Sequence, residues 1–278
     1  MIEIEVICML YNASKYVLQI DKDIRSQRKV KLRKIYYYVT ESEDNTVQIL
    51  DDNNMEYVLI NKDDFSHSLT REKALYGVNS KYAIMLSQDI KFSDELCLYK
   101  LVRYMTINDL SLGYLRQVSN FGMDKYFRMV NYPKKSHVYN DLSLGLDSCF
   151  CSDACACYNI YDFKRLNGYG KDLNTNEDMY YAYKCLINGR LVGYCSGSFI
   201  YHEHRLSLGK VYRRYVNIGV FLRQNKEILK LKSNKKKYLK IIILLIKDIN
   251  IYGIIRFPLE VVVRFLGLYV GKRQDYDN

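Results

Sequence analysis

The feature that most constrains this chain is a nearly continuous apolar run, Ile4-Glu5-Val6-Ile7-Cys8-Met9-Leu10, broken at once by Tyr11-Asn12-Ala13-Ser14. A run without alternation reads as a strand buried on both faces. Tyr16, Val17, Ile20 and Ile24 then recur at helical spacing, with Ser14 as the expected N-cap. The pattern repeats. Residues 35–40 (Ile-Tyr-Tyr-Tyr-Val-Thr) form a second expected strand, closed by the polar turn Glu41-Ser42-Glu43-Asp44-Asn45. Residues 57–60 form a third. Ser68 is expected to cap a helix through Ala74 and Leu75 to Val78, and residues 82–86 form a fourth strand ending at Ser87-Gln88-Asp89. Strands alternating with helices predict βαβ units, hence an α/β domain with a mostly parallel central sheet flanked by helices. Two prolines and fourteen glycines in 278 residues argue against a turn-dense all-β fold.

The second half reads less regularly. A helix is expected from Ser93 to about Tyr104, then a mixed, loop-rich stretch over 112–145 and a strand-like segment over 149–158. A short helix follows near 162–168, and Thr175-Asn176-Glu177-Asp178 opens another through Ala182 and Leu186. Two short strands near 191–192 and 199–200 lead into His202-Glu203-His204, and a long basic helix is expected from Ser207 to Lys230. The cysteine cluster Cys149-x-Cys151-x3-Cys155-x-Cys157 lacks the paired C-x2-C units of a zinc site, so small buried hydrophobes on a strand are expected. The acidic start Met1-Ile2-Glu3-Ile4-Glu5 does not read as a signal peptide, which predicts reduced thiols in a cytosol.

In parallel sheets, ligands bind beyond the carboxyl ends of the strands. Tyr11, Glu41 and Asp89 all follow such ends. The chain has no G-x-G-x-x-G and no P-loop, so a common dinucleotide or NTP motif does not explain that crevice.

Charge is concentrated elsewhere. The chain carries 42 Lys+Arg against 31 Asp+Glu, a net +11. Between Arg205 and Lys247 stand thirteen Lys/Arg and one acid, Glu227, so the remainder is about neutral. A basic segment implies anionic lipid or nucleic acid as partner. Nucleic acid would call for aromatic-basic interleaving on the sheet, whereas here the basic residues sit in C-terminal helices with apolar faces, so nucleic acid is not expected. The longest apolar run near the end, 241–246, has six residues, too few for a bilayer that needs about 20. A peripheral location on an anionic membrane surface is expected, with a homo-oligomer contact as the alternative use of the same apolar face.

Several short motifs occur in a set order. They are Tyr11-Asn12, Phe65-Ser66-His67-Ser68-x-Thr70-Arg71, Ser87-Gln88-Asp89, Leu115-Arg116-Gln117 and Asn131-Tyr132-Pro133. Further on come Phe150-x-Ser152-Asp153-x-Cys155, Asn176-Glu177-Asp178, and His202-x-His204 followed by Arg213-Arg214-Tyr215 and Ile218-Gly219. Over about residues 1–222 the chain resembles the inverting family 2 glycosyltransferases of the GT-A fold. Within these it resembles the bacterial rhamnosyltransferases that use dTDP-L-rhamnose in capsule and cell-wall polysaccharide synthesis. The resemblance implies a GT-A domain over 1–205, with 206–278 as a basic helical extension.

It also implies roles. Asp178, with Glu177 beside it, is the expected catalytic base, since inverting transfer needs one group to take the acceptor hydroxyl's proton. Tyr11, Glu41, Asp44, Arg71, Gln88, Asp89 and Asp153 are the expected donor contacts, and Arg116 and Gln117 the acceptor contacts. Mg2+ or Mn2+ is the expected cofactor, held by Asp89 with His202 or His204, because the leaving diphosphate needs its charge neutralised. The family's acidic pair is here Ser87-Gln88-Asp89, with one carboxylate, and Thr40-Glu41-Ser42 stands where the family's turn usually begins with Asp. The expected partners are dTDP-L-rhamnose and a lipid-linked glycan.

Overall fold

The computed structural model describes residues 1–119, 135–202, 206–232, 236–247 and 249–273. The expected Asn131-Tyr132-Pro133 motif and His204 lie outside the described residues. The strands are β1 (Ile2–Leu10), β2 (Val30–Thr40), β3 (Tyr57–Ile60), β4 (Tyr82–Ser87), β5 (Ile90–Phe92), β6 (Leu110–Val118), β7 (His137–Tyr139), β8 (Cys155–Asn159) and β9 (Leu191–His202). They form one sheet in the order β3-β2-β1-β4-β8-β6-β9-β5, with β7 paired to β9.

The first half matches the alternating pattern. β1 pairs in parallel with β2 and with β4, and β2 with β3. Beyond β4 the sheet is mixed: β8 runs antiparallel to both β4 and β6, and β6 runs parallel to β9. Side chains alternate across the pleat. Ile4, Val6, Cys8 and Leu10 face one core, packed with Val17, Ile20 and Ile24 of the helix Val17–Arg25 and with Leu98, Leu101 and Met105 of the helix Cys97–Ile107. Ile7, Ala83 and Met85 face the other core, with Phe163, Tyr181 and Leu186. Helices thus cover both faces.

Several local expectations shift. Ser66, not Ser68, caps the helix His67–Tyr76, accepting from the Leu69 amide. Ser68 is buried instead: its Oγ donates to the Lys171 carbonyl (2.9 Å) and accepts from the Leu173 amide (2.7 Å). The loop-rich reading of 112–145 missed β6. The segment 149–158 is a strand only from Cys155, after a 3-10 turn over Gly145–Cys149. The two short strands near 191 and 199 are one strand, with residues 196–198 out of register between the pairs Leu115–Cys195 and Arg116–Phe199. All eight cysteines are buried and free, as expected of small hydrophobes. Ser207 does cap a basic helix, but it ends at Gln224, and Lys226–Leu229 is a separate turn.

After that turn come the helices Lys236–Lys247 and Ile251–Arg273. The last crosses Leu208–Gln224 closely. A Cβ at Gly271 would stand 2.0 Å from the Val216 carbonyl oxygen, so only glycine allows this approach. Among the described residues no helix is long and apolar enough to cross a membrane.

Candidate active site

Strand direction decides which residues meet. β1, β2, β4, β6 and β9 all end on one edge of the sheet, and β8, running the other way, begins there. That edge therefore gathers Tyr11, Glu41 and Asp89 with Gln117, His202 and Asp153. The Ser87 amide donates to the Ala154 carbonyl (3.3 Å), which ties the Asp89 turn to the Asp153 turn.

At the first strand end, Gln88 braces the Tyr11 backbone: the Tyr11 amide donates to Gln88 Oε1 (2.7 Å) and Gln88 Nε2 donates to the Tyr11 carbonyl (2.9 Å). This leaves the Tyr11 ring exposed, with Lys62 Nζ 6.0 Å from its centroid. Asn12, in the left-handed region at φ 47°, accepts from the Glu43 amide (2.9 Å). Asp44 is occupied within the same junction. Its carboxylate accepts from the Ser14 amide (2.9 Å), the Thr46 amide (3.0 Å) and the Thr46 hydroxyl. Burial alone would raise its pKa, but the Thr46 and Ser14 hydrogen bonds outweigh that and hold it at about 2. Glu41 is exposed and only loosely approached, by the Lys62 amide at 3.5 Å.

At the opposite side, Asp89 Oδ1 lies 3.2 Å from His202 Nε2. His202 Nδ1 lies 3.1 Å from Gln117 Oε1. Across the register shift Gln117 pairs with Ile200, two residues before His202. With Nδ1 toward the Gln117 amide and Nε2 toward the carboxylate, the space between ring and carboxylate can take a proton on Nε2 or a cation. An oxygen donor and an imidazole, with the far ring nitrogen oriented by an amide, suit a divalent ion. Arg116, beside Gln117, lays its guanidinium over the Phe199 ring (5.8 Å), with its buried Nε lacking a hydrogen-bond partner.

The third group centres on the helix Glu177–Ile187. Lys184 donates to the carbonyls of Asn167 (3.2 Å), Gly168 (2.8 Å) and Tyr169 (3.3 Å), pinning the loop that precedes the helix. Asn176, left-handed at φ 61°, turns the chain into it. Glu177 and Asp178 leave the first turn about 100° apart. Glu177 is buried and faces Arg71, with Nη1 3.2 Å from Oε1. Arg71 Nε is 3.5 Å from Asp153 Oδ2. Neither of those two buried atoms has a hydrogen-bond partner, so charge rather than a hydrogen bond joins them. Arg71 Nη1 also donates to the His67 carbonyl (3.0 Å). Arg71, expected among the donor contacts, is thus paired with two carboxylates. Asp153 Oδ1 accepts from the Tyr158 hydroxyl (2.7 Å), within a buried cluster of Tyr158, Phe163, Tyr169 and Tyr181.

Asp178 is half-buried; its Oδ2 accepts from the Asp153 amide (3.3 Å) and its Oδ1 from the Met179 amide (2.7 Å). Burial, then the neighbouring Asp153 and Glu177 charges, raise its pKa well above the carboxylate range. Burial raises Asp153 to about 7 despite Arg71. For Arg71, burial opposes the charge, but Glu177 and Asp153 prevail and raise its pKa. Three carboxylates thus lie together here: Asp153 and Glu177 pair with Arg71, and the half-buried Asp178 is held by the Asp153 amide. Arg71 was expected among the donor contacts, but its pairing with Asp153 and Glu177, 82 and 106 positions away, was not announced by local sequence, and Tyr158 was not singled out at all.

The sequence profile of glycosyl transferase family 2 matches residues 5–166. The chain belongs to glycosyl transferase family 2. It is 29% identical over 188 residues to the O-antigen chain rhamnosyltransferase RfbN of Salmonella typhimurium, covering 65% of this chain and 60% of that protein. It is 26% identical over 187 residues to the O-antigen chain rhamnosyltransferase WbaN of Salmonella anatum, covering 65% and 59%. The chain therefore aligns with about three-fifths of each relative. The fold is GT-A. It resembles S. aureus TarS 1–349 in complex with UDP-GlcNAc (TM-score 0.58, 15% identity, 85% of this chain and 70% of that one). It also resembles the mannosyltransferase PcManGT of Pyrobaculum calidifontis in complex with GDP-Man and Mn2+ (TM-score 0.58, 12% identity, 98% and 75%).

Proposed function

We propose that the enzyme transfers L-rhamnose from dTDP-β-L-rhamnose, with inversion, to a hydroxyl of a lipid-linked polysaccharide intermediate at the cytoplasmic face of the bacterial cell membrane. The product is an α-L-rhamnoside. The observation that carries the reaction type is the half-buried Asp178 among Asp153, Glu177 and Arg71 on the same sheet edge as Asp89 and His202. The donor is argued from the two rhamnosyltransferase relatives.

The acceptor oxygen attacks the anomeric carbon of the donor as the bond from that carbon to the β-phosphate oxygen breaks. Asp178 takes the hydroxyl proton, and dTDP leaves. A base whose pKa is raised toward neutrality serves this role better than an ordinary carboxylate. Tyr11 offers an exposed ring to the nucleobase and Glu41 an acceptor to the nucleoside. Asp89 and His202 would hold a divalent cation, Mg2+ or Mn2+, whose charge neutralises the leaving diphosphate, in keeping with the Mn2+ of the PcManGT complex. Arg116 and Gln117 would contact the acceptor.

Incubation with a panel of nucleotide sugars and a synthetic lipid-linked acceptor, read by mass spectrometry, tests the donor. Transfer from dTDP-rhamnose is expected, and transfer only from a UDP-hexose would refute the assignment. Asp178→Asn is expected to cut kcat by about 10²-fold or more with donor affinity intact. Near-normal turnover would move the base elsewhere.

A further inference from the structure

The helix Ile251–Arg273 is inside out. Its polar and small residues face the protein. Gly267 and Gly271 pack against Leu208–Gln224. The buried Glu260 lies between Arg256 (3.3 Å) and Arg264, Arg256 also donates to the Leu206 carbonyl (2.7 Å), and Arg264 stacks on Tyr215. Its outward face carries an unbroken apolar stripe: Ile251, Ile255, Leu259, Val262, Leu266 and Tyr269. These recur at steps of three and four over about 27 Å, so they form one line along the helix. Ile251 and Ile255 are 68% and 60% exposed. The preceding helix adds exposed Ile243 and Ile246. An apolar area of that extent facing water marks an interaction surface.

Charge selects the partner. Residues 206–273 contain sixteen Lys/Arg and three acids. One of those acids is the buried Glu260. Lys247 stands before the stripe and Lys272 and Arg273 at its end, all exposed, with Arg213 and Arg214 exposed on the helix packed alongside. A second copy placed face to face would bring two rims of the same sign together, which self-complementary contacts do not tolerate. An anionic bilayer satisfies both features, taking the apolar stripe into the acyl boundary and the lysines and arginines against its headgroups. Tyr252 and Tyr269, near the two ends, suit the headgroup level.

We propose that the outward stripe of the helix Ile251–Arg273, with its flanking Lys and Arg, is a monotopic docking surface for an anionic lipid bilayer. Its purpose rests on the proposed lipid-linked acceptor, but the binding stands on the surface alone. Pro258, in the middle of the stripe, lacks the amide that would complete the helix ladder, and it is exposed.

The test is flotation of the full chain with vesicles of phosphatidylcholine alone or with about one-third phosphatidylglycerol, for the wild type and for Ile255→Asp and Phe265→Asp. Both side chains are exposed, so the variants are expected to keep the wild-type melting temperature. Binding only to the anionic vesicles is expected, weakened by salt, and lowered about tenfold or more in each variant. No binding to the anionic vesicles, or equal binding by both variants, would overturn the proposal. So would a wild-type dimer in sedimentation that Ile255→Asp converts to a monomer, since a second copy would then cover the stripe. Turnover on a short water-soluble acceptor reports the active site separately: it is expected to survive Ile255→Asp and to be lost in Asp178→Asn.

Discussion

Replacing Asp153 by Asn tests the electrostatic account of the base. The substitution keeps the shape, the Oδ1 acceptor for Tyr158 and the main-chain amide that Asp178 uses, and it removes one negative charge from beside Asp178. Burial raises Asp178 first, and Asp153 is the leading charge that adds to it. Two unit charges about 5 Å apart at an effective dielectric of 20 repel by about 3 kcal/mol. Asp153 is itself raised to about 7, so it is only half ionised near neutrality. Halving the repulsion leaves about 1.5 kcal/mol, or about one pH unit. The sign follows: with the neighbouring charge gone, the basic form of Asp178 persists to lower pH. The acidic limb of the kcat profile should move down by about one pH unit, measured from pH 5 to 9 with saturating donor and acceptor. Donor affinity should stay unchanged, because Asp153 is buried against Arg71 and Tyr158. An acidic limb that stays in place, or moves upward, would refute the coupling. A large loss of donor affinity would return Asp153 to the donor contacts.

Arg71→Met leaves buried Glu177 and Asp153 without their cation, so it should destabilise the fold by about 3–5 kcal/mol in urea titrations, a loss that an exposed arginine would not cause. Asp89→Ala should abolish donor binding in calorimetry with Mg2+ or Mn2+ present, whereas unchanged donor affinity and turnover after exhaustive chelation would remove the metal from the site. Asp44→Ala deletes three accepted hydrogen bonds and should cost about 1–3 kcal/mol of stability. Because the folded pKa is lowered to about 2 from 3.8, that contribution is complete above about pH 4 and is lost as pH falls through 2. A stability difference undiminished at pH 1.5 would contradict it.

In the first ninety residues β1, the second half of β2 and β4 were legible because their runs are largely apolar and end at polar punctuation, whereas the Lys- and Arg-rich start of β2 and the helix Thr46–Asp52 were not. β6 was not, and the reason is local. Its run Leu-Ser-Leu-Gly-Tyr-Leu-Arg-Gln-Val contains Ser111 and Gly113, which read as loop. In the fold, Ser111 is buried and donates to Asp162 (2.6 Å), and a Cβ at Gly113 would lie 2.6 Å from Met105 Sδ. Both residues answer to neighbours from other segments. The same holds for Arg71, whose partners Asp153 and Glu177 lie 82 and 106 positions away. Helical spacing placed it on a helix near the cleft, but only the tertiary fold turns its guanidinium inward. Ser68 was expected as a helix cap and Asp44 as a donor contact; in the fold Ser68 bridges Lys171 and Leu173, and Asp44 accepts from Ser14 and Thr46.

Asp89 and His202 were paired in the expectation of a shared ligand, and the sheet explains how residues 113 positions apart come within 3.2 Å. β4 and β9 are not neighbours; β8 and β6 lie between them. The Asp89 turn leads directly into β5, and β5 pairs antiparallel with β9 so that Ile90 stands opposite His202. Only Gln88 and Asp89 separate β4 from β5, a reach of about 10 Å against the roughly 19 Å of four flat strand spacings, so the end of β9 must bend toward β4 for β5 to pair with it. The Asp89 turn is thereby the link between the two halves of the sheet, one bearing Tyr11 and Glu41 and the other bearing Gln117 and His202. A ligand with an aromatic base at one end and a diphosphate at the other has the polarity of that arrangement, with exposed Tyr11 on one side and the carboxylate–imidazole pair on the other. The half-buried Asp178, held by the Asp153 amide at the start of β8, then stands beside the same turn, because the Ser87 amide and the Ala154 carbonyl join the two segments. The proposed base and the proposed diphosphate site are thus coupled through backbone, and a substitution that moved the Asp89 turn would displace both together.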